Sequence, residues 1–398
     1  MKQKVIITKI CWLHQEYLAT ALYQDWKLME INLEAIDKQS ILGNIYVGRV
    51  KNIVKNLNAA FIEIAPGLPC YYPMDNIQSP LYVKKANSLN LVQGDEVVVQ
   101  VIRESTGKKP PKVSTNLNLT GKYLVLTSEN TTLGISRKLS QEVRENLKKN
   151  LIFEENSDFG IIVRTNASNA STEEILVEYE QLKQEYFSIK DAAPHRTVFS
   201  CLKRNVPEYL HYLQNLNQEQ LEGILTDDRE LLEQIQKYLS QFPENVSSKL
   251  SFYEDSLLSL NKLYSLDTKL KEALQERVWL KSGGYLIIQP TEALTVIDVN
   301  SGKSTSKKQV QEHYLKINLQ AAEEIAHQLR LRNLSGIIIV DFIDMKSQED
   351  NQTLLKTLRA CVRMDSVPVQ VVDMTKLHLV ELTRKKVKKS LAEQLQIS

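Results

Sequence analysis

Cysteine is scarce and scattered: Cys11, Cys70, Cys201 and Cys361 form no C-x-x-C pair and no even framework. That usage argues against a disulfide-stapled scaffold or a zinc knot and predicts reduced, mostly buried thiols in a reducing compartment. The 6 histidines show no metal-type spacing. No apolar stretch reaches the ~18–20 residues of a membrane span. The N-terminus "MKQKVIITKICWLHQ" alternates like a strand and has no signal-peptide core, so the expectation is a soluble protein made where it works. Neither sign of charge dominates: the formal net charge is +2, so a polyanionic partner must be met by local basic patches. Glycine (13) and proline (11) are few, while Leu, Ile, Asn and Lys abound. This bias accompanies AT-rich coding genomes and points to an organelle or an AT-rich bacterium.

What is present suits globular folding: 42% hydrophobic and 25% charged residues in a chain of 398, long enough for roughly two to four domains. Residues 1 to 36 read as two or three strands. "GNIYVGRVKNIVKNLNAAFIEIAPGLPCYYP" (43 to 73) and "GDEVVVQVIRE" (94 to 104) give short strands at hairpin spacing, which predicts a small closed barrel. "TGKKPPKVST" reads as a basic loop whose prolines exclude a central strand. Residues 121 to 170 mix strand ("KYLVLTS", "FGIIVRT") with helix ("SQEVRENLKKN"). Ser171 and Glu174 make a capping box for a helix with Ile175, Tyr179, Leu182, Tyr186 and Ile189 on one face. Residues 205 to 280 read as largely helical. After them, "GGYLIIQP", "LTVIDVNSG", "GIIIVDFID" and "PVQVVDM" alternate with helices at about 307–332 and 349–363, which predicts an α/β layer.

"LTVIDVNSGK" carries the first chemical signal. Leu294, Val296 and Val299 read as interior residues, yet Asp298 sits among them. A second strand, "IIIVDFIDM", ends in Asp341. Two carboxylates at the edges of neighbouring apolar strands would repel one another, and burying either unpaired is costly. A hard divalent cation is the usual remedy, and Mg²⁺ takes few carboxylates because it keeps several waters. Asn300 shares the face of Asp298 if the strand continues that far, and its amide could orient a phosphate oxygen. No histidine, cysteine or serine constellation competes, so metal-assisted attack of water on a phosphodiester is the chemistry this segment supports. The plain alternative is a helix cap or a loop salt bridge. Asp344 is a decoy of the same type and Asp373 a third candidate, while Asp227 and Asp228 read as a solvated pair at a helix start.

Six stretches in series resemble the ribonuclease E/G family of endoribonucleases: "GNIYVGRVKNIVKNLNAAFIEI", "GISRK", "GIIVRT", "LKSGGYLIIQPTEALTVIDVNSG", "NLQAAEEIAHQLRLRNLSGIIIVDFIDM" and "MTKLHLVELTRKK". They cover most of the chain, and the match is weak over about 190 to 275. The resemblance implies an α/β and α+β multidomain fold. It assigns 37–120 to an OB-type RNA-binding barrel, 121–214 to a 5′-sensor region, 1–36 with about 215–280 to an RNase H-like subdomain, and 281–398 to a DNase I-like catalytic domain. It makes Asp298 and Asp341 Mg²⁺ ligands, with Mn²⁺ as substitute ion, and gives Asn300 a task at the scissile phosphate. Phe61 and Tyr71 become base-contacting rings, although Phe61 alone reads as barrel core. Lys109 becomes a backbone contact, and Arg103, Lys108 and Lys112 join the same positive edge. Arg164 and Thr165 would bind a 5′-monophosphate, with Gly121 and Val125 as the other wall. Alone, Arg164 is a strand-end salt-bridge partner.

The implied activity is hydrolysis of single-stranded, A/U-rich RNA to 5′-phosphate and 3′-hydroxyl products in RNA processing and decay. The alternative is a non-catalytic RNA-binding protein of the same architecture. Two departures from the family pattern bear on this. The sequence ends soon after "RKKVKKSLAEQLQIS" without the family's cysteine pair or small dimerising domain. No zinc is therefore expected, and any homo-oligomer needs a different interface. Pro368 stands where members carry an arginine that supports the phosphate sensor, so sensing is weakened or supported by another residue. The composition and the missing zinc module favour a plastid-encoded protein of the chloroplast stroma, with a bacterial cytoplasm as the alternative.

Overall fold

Side chains alternate between the two faces of a strand, and between residues 45 and 114 the inward set closes on itself. A computed structural model describes all residues except 1, 38–39, 75–79, 86–89, 106–108, 129, 137, 152, 154–157, 217–219, 241–245, 303–309 and 397–398. Residues 39–216 form one unit, and 1–38 with 217–398 form the other.

In the first unit the strands Ile45–Val54, Ala59–Ala65, Leu68–Pro73, Lys112–Ser114 and Glu96–Arg103 hydrogen-bond in that order. Glu96–Arg103 pairs back onto Ile45–Val54, closing a five-stranded barrel consistent with the expected OB type. Val50, Ile62, Ile64, Cys70, Val99 and Val113 help to fill it. One expectation is overturned: the second half of the proline-containing loop is a barrel strand. Pro110 and Pro111 stop just short of it. There Pro111 offers only its carbonyl, which accepts the Tyr71 N–H at 2.8 Å.

The rest of this unit holds a four-stranded sheet in the order Asn118–Thr120, Leu124–Thr127, Gly160–Val163, Leu133–Ile135. The helix Thr172–Ala192 has the predicted capping box, and all five residues of its predicted apolar face are buried.

The second unit opens with a sheet ordered Leu250–Phe252, Leu221–Thr226, Gln3–Trp12, Gln15–Gln24, Lys27–Ala35. The strand Leu221–Thr226 corrects the helical reading of that region. Glu222 and Gly223 interrupt its apolar pattern, and its parallel partner lies at the start of the chain. Asp228 caps the helix Arg229–Leu239 and pairs with Lys9 at 2.6 Å, while Asp227 accepts the Thr8 hydroxyl at 2.7 Å. Both aspartates therefore have structural partners.

The remaining six strands form one sheet, in the order Arg277–Trp279, Tyr285–Pro290, Leu294–Asn300, Gly336–Asp341, Leu379–Arg384, Val369–Met374. Only the central pair, Leu294–Asn300 with Gly336–Asp341, is parallel. The helices Val310–Leu331 and Gln348–Val362 pack on one face, against Leu286, Ile288, Ile297, Val299, Ile338 and Val340. Leu294 and Val296 do not join that core: they lie half-buried on the other face, and of the three expected interior residues only Val299 is in it. The thiols also depart from expectation, since Cys70 alone is buried while Cys11 and Cys201 are exposed. Among the described residues no helix is long and apolar enough to cross a membrane.

Candidate active site

The strand Leu294–Asn300 alternates half-buried and buried residues along its whole length, so its geometry carries through Asn300. The odd positions enter the helix-covered core and the even positions face away. Asp298 and Asn300 therefore share the open face. On the neighbouring parallel strand, Asp341 stands directly opposite Asp298 in the register. Asn300 Nδ2 donates to Asp298 Oδ2 at 2.7 Å. Burial pushes the Asp341 carboxyl above its ordinary value, and the charges of Asp298 and Asp344 push it further. Asp344 thus belongs to the same electrostatic cluster. Asp373 is two strands from Asp341, and its carboxylate takes the Met374 N–H at 2.8 Å.

This donor set suits a hard divalent cation held by few protein ligands: two opposed carboxylates whose repulsion is felt at Asp341, beside a neutral amide. Among the described residues no group of three or more His, Cys, Asp or Glu side chains forms a metal cage. Two carboxylates and a neutral amide are donors that Mg²⁺, which takes few carboxylates, would accept.

Three polar side chains of the long helix hold the loops around the aspartates, and sequence reasoning missed them. Asn318 is fully buried; its Oδ1 accepts the Ile343 N–H at 3.1 Å and its Nδ2 donates to the Ile343 carbonyl at 2.8 Å. Gln320 accepts the Ser282 N–H at 3.0 Å, and Gln311 the Lys346 N–H at 3.0 Å. The available signal was an asparagine beside Ile317 in a stripe that was otherwise apolar. The turn after Asn300 requires Gly302, which sits at φ +66° with the Gly283 carbonyl 2.5 Å from where a Cβ would be.

In the other unit the structure brings Gly121 and Arg164 into contact. Arg164 Nη1 donates to the carbonyls of Gly121 and Lys122, and Nη2 donates to Asn215 Oδ1 at 3.0 Å. Burial lowers the Arg164 pKa, and the nearby Glu178 carboxylate opposes that shift. Val125 pairs with Ile162 on the outward side of the sheet, and Thr165 begins a short 3-10 turn. The missed residue here is Glu178. Its carboxylate accepts the N–H groups of Lys122, Tyr123 and Leu124, each at 2.8 Å, and fills the space where a Cβ on Gly121 would fall. Burial raises its pKa, while those three N–H groups and Arg164 hold it down. A glutamate between Ile175 and Tyr179 on a buried helical stripe was its signal. Pro368, in the unit of the aspartates, accepts the Lys385 N–H at 3.1 Å.

On the barrel, Phe61 pairs with Tyr71, Tyr71 with Lys112, and Lys112 with Arg103, giving one row across four strands. The two rings meet edge-on with centroids 6.2 Å apart. Phe61 stands outside the core cluster and is half-exposed, unlike its neighbour Ile62. Arg103 and Lys109 are exposed, and among the described residues no carboxylate pairs with Arg103, Lys109 or Lys112. Lys108 lies outside the described residues.

Comparison with known proteins gives the family. Residues 118–387 match the model of the Ribonuclease E/G family. Ribonuclease E of Synechocystis sp. is 33% identical over 401 residues, covering 98% of this chain and 58% of the relative. Ribonuclease E of Nostoc sp. is 32% identical over 379 residues, covering 94% and 55%. Ribonuclease G of Haemophilus influenzae is 32% identical over 385 residues, covering 93% and 78%. The chain thus spans a little over half the length of the two ribonuclease E relatives. With the matched region running through both the four-stranded sheet and the aspartate strands, the chain belongs to the ribonuclease E/G family.

Proposed function

We propose that this protein is a Mg²⁺-dependent endoribonuclease that hydrolyses single-stranded, A/U-rich RNA and prefers 5′-monophosphate ends. The observation that carries the reading is the in-register Asp298–Asp341 pair on an open sheet face, with Asn300 tied to Asp298. Asp298 and Asp341 would hold Mg²⁺, or Mn²⁺ in its place. When bound, the ion supplies Lewis acidity at the phosphodiester and makes the attacking water easier to ionise. Asn300 keeps the Asp298 carboxylate oriented with one amide hydrogen and has the other free for a phosphate oxygen. Asn318 and Gln320 fix the flanking loops. Breaking the P–O3′ bond leaves a 3′-hydroxyl on one fragment and a 5′-phosphate on the other.

Substrate handling falls to the other surfaces. Phe61 and Tyr71 would stack on bases, while Arg103, Lys109 and Lys112 meet the backbone. The N–H donors that Arg164 has left over would fork onto a terminal phosphate with Thr165, beside Gly121 and Val125. Pro368 brings neither charge nor donor, so the preference is weakened or is supported by another residue. In this reading 37–120 is the RNA-binding barrel, 121–214 the 5′-sensor region, 1–36 with about 215–280 an RNase H-like subdomain, and 281–398 a DNase I-like catalytic domain. Composition favours work in the plastid stroma over a bacterial cytoplasm.

The test is a short A/U-rich RNA bearing 5′-phosphate or 5′-hydroxyl, incubated with the protein in Mg²⁺ or EDTA. Cleavage is expected only with Mg²⁺ and faster from the 5′-phosphate. Cleavage that survives Asp298→Asn overturns the site, and binding without cleavage leaves an RNA-binding protein. Equal rates on both ends remove only the 5′ preference.

A further inference from the structure

The open face that carries the aspartates does not end at Asn300. Across the sheet, Asn300 pairs with Tyr285 and Tyr285 pairs with Trp279, so these three residues form one row over adjacent strands. Directly opposed residues project from the same face. The faces are assigned by their neighbours: Leu286 and Ile288 enter the helix-covered core, which leaves Tyr285 on the aspartate side. Trp279 lies on the edge strand and is 64% exposed, unusual for the largest apolar side chain. Its ring centroid is 5.2 Å from that of Tyr285, at an interplanar angle of 59°. Arg277 sits over both rings, 4.7 Å from the Tyr285 centroid and 5.7 Å from that of Trp279. Among the described residues no carboxylate pairs with this guanidinium.

The geometry points to a base-stacking platform at the edge of the catalytic sheet, made by Trp279 and Tyr285 with Arg277 as its cation, which holds a nucleotide flanking the scissile phosphate. This rests on the reading above that the substrate is single-stranded RNA. The position follows from sheet spacing: Tyr285 is one strand and Trp279 two strands from Asn300, about 5 and 10 Å. An RNA strand leaving the Asp298–Asp341 pair past Asn300 and crossing the sheet along this row would meet the rings next. The chemistry suits that occupant. Two aromatic faces take any base, and an unpaired arginine offers charge to the backbone and a planar cation to the ring. A base seated there would align the neighbouring phosphate with Asn300, so these are positioning residues.

The experiment is a substitution cycle on protein and RNA together, with a short A/U-rich 5′-phosphorylated RNA as probe. Binding is measured on the Asp298→Asn background in Mg²⁺ and cleavage on the otherwise native protein. Trp279→Ala is expected to weaken binding about tenfold and to raise KM by a similar factor. Trp279→Phe should restore most of it. Removing one base beside the cleavage point should weaken the native protein equally and leave Trp279→Ala unaffected. Arg277→Gln provides a second variant, with a smaller loss of binding. Unchanged binding by Trp279→Ala, or a change in subunit number without a change in RNA affinity, would overturn the platform. Failure of the native protein to cleave would instead strike at the nuclease reading, since the binding cycle is scored without cleavage.

Discussion

Asn300 and Asp298 stand one pleat apart on the same face of one strand, joined by a 2.7 Å hydrogen bond from amide to carboxylate. The bond sets the orientation of the Asp298 side chain before anything binds. It also leaves Asp341, across the parallel register, facing a carboxylate held in place. Two acidic groups therefore face each other on the open side, one of them fixed by the amide.

Asp298→Asn and Asp341→Asn should each lower kcat by roughly 10² or more while leaving the fold intact, because each removes a charge from the pair. Single-turnover cleavage of a short RNA checks this, with RNA binding as the control. Asn300→Ala should cost less, about tenfold, since the carboxylates remain.

The raised Asp341 pKa fixes the sign of a pH effect. A carboxyl with a higher pKa folded than unfolded binds protons more tightly in the folded state, so stability falls as pH rises through that interval. Above it the cost of burying the charge, and with it the repulsion from Asp298 and Asp344, is fully present. At neutral pH in EDTA, Asp341→Asn should therefore melt higher than the native protein. Mg²⁺ should raise the native Tm and leave the variant almost unmoved. Thermal melts at two pH values with and without Mg²⁺ decide the matter.

Glu178→Ala would leave three backbone N–H groups without their acceptor and remove the charge beside Arg164. The expected cost is about 3 kcal/mol, with Glu178→Gln in between. Urea unfolding reads the stability. Hydrogen exchange at residues 122–124 reads the local loss, and protection that survives the alanine variant would contradict it.

On the barrel, Phe61→Ala or Tyr71→Ala should weaken single-stranded RNA binding about tenfold with little sequence bias. Lys112→Gln or Arg103→Gln should instead flatten the dependence of log K on log salt by about 0.7 each. Binding isotherms at several salt concentrations separate the two effects.

The elements that could be read from the sequence were those whose pattern is local. The barrel strands alternate, the helix Thr172–Ala192 carries both its cap and its stripe, and Asp298 stands out because it interrupts an apolar run. Strands of three to six residues whose partners are remote escaped: Leu221–Thr226 pairs with the chain's first strand, and Leu379–Arg384 inserts between two others. Proline misled at Lys112–Ser114, since a proline just before a strand costs it no hydrogen bond. The Phe61–Tyr71–Lys112–Arg103 row depends on three separate registers, and no single stretch of sequence encodes those. Glu178 and Asn318 were hidden for another reason. A polar residue on an apolar stripe shows that something must satisfy it, but its partner is known only once the chain is folded.

The helix-covered sheet has one further consequence. In Leu294–Asn300 consecutive residues serve opposite masters, Ile297 and Val299 the packed interior, Asp298 and Asn300 the open side. Inserting or deleting one residue upstream within that strand would exchange the two sets, thrusting acids under the helices and aliphatic groups into water. The strand can accept new letters but not one more or one fewer, and a change of length is better borne by the loops that flank it.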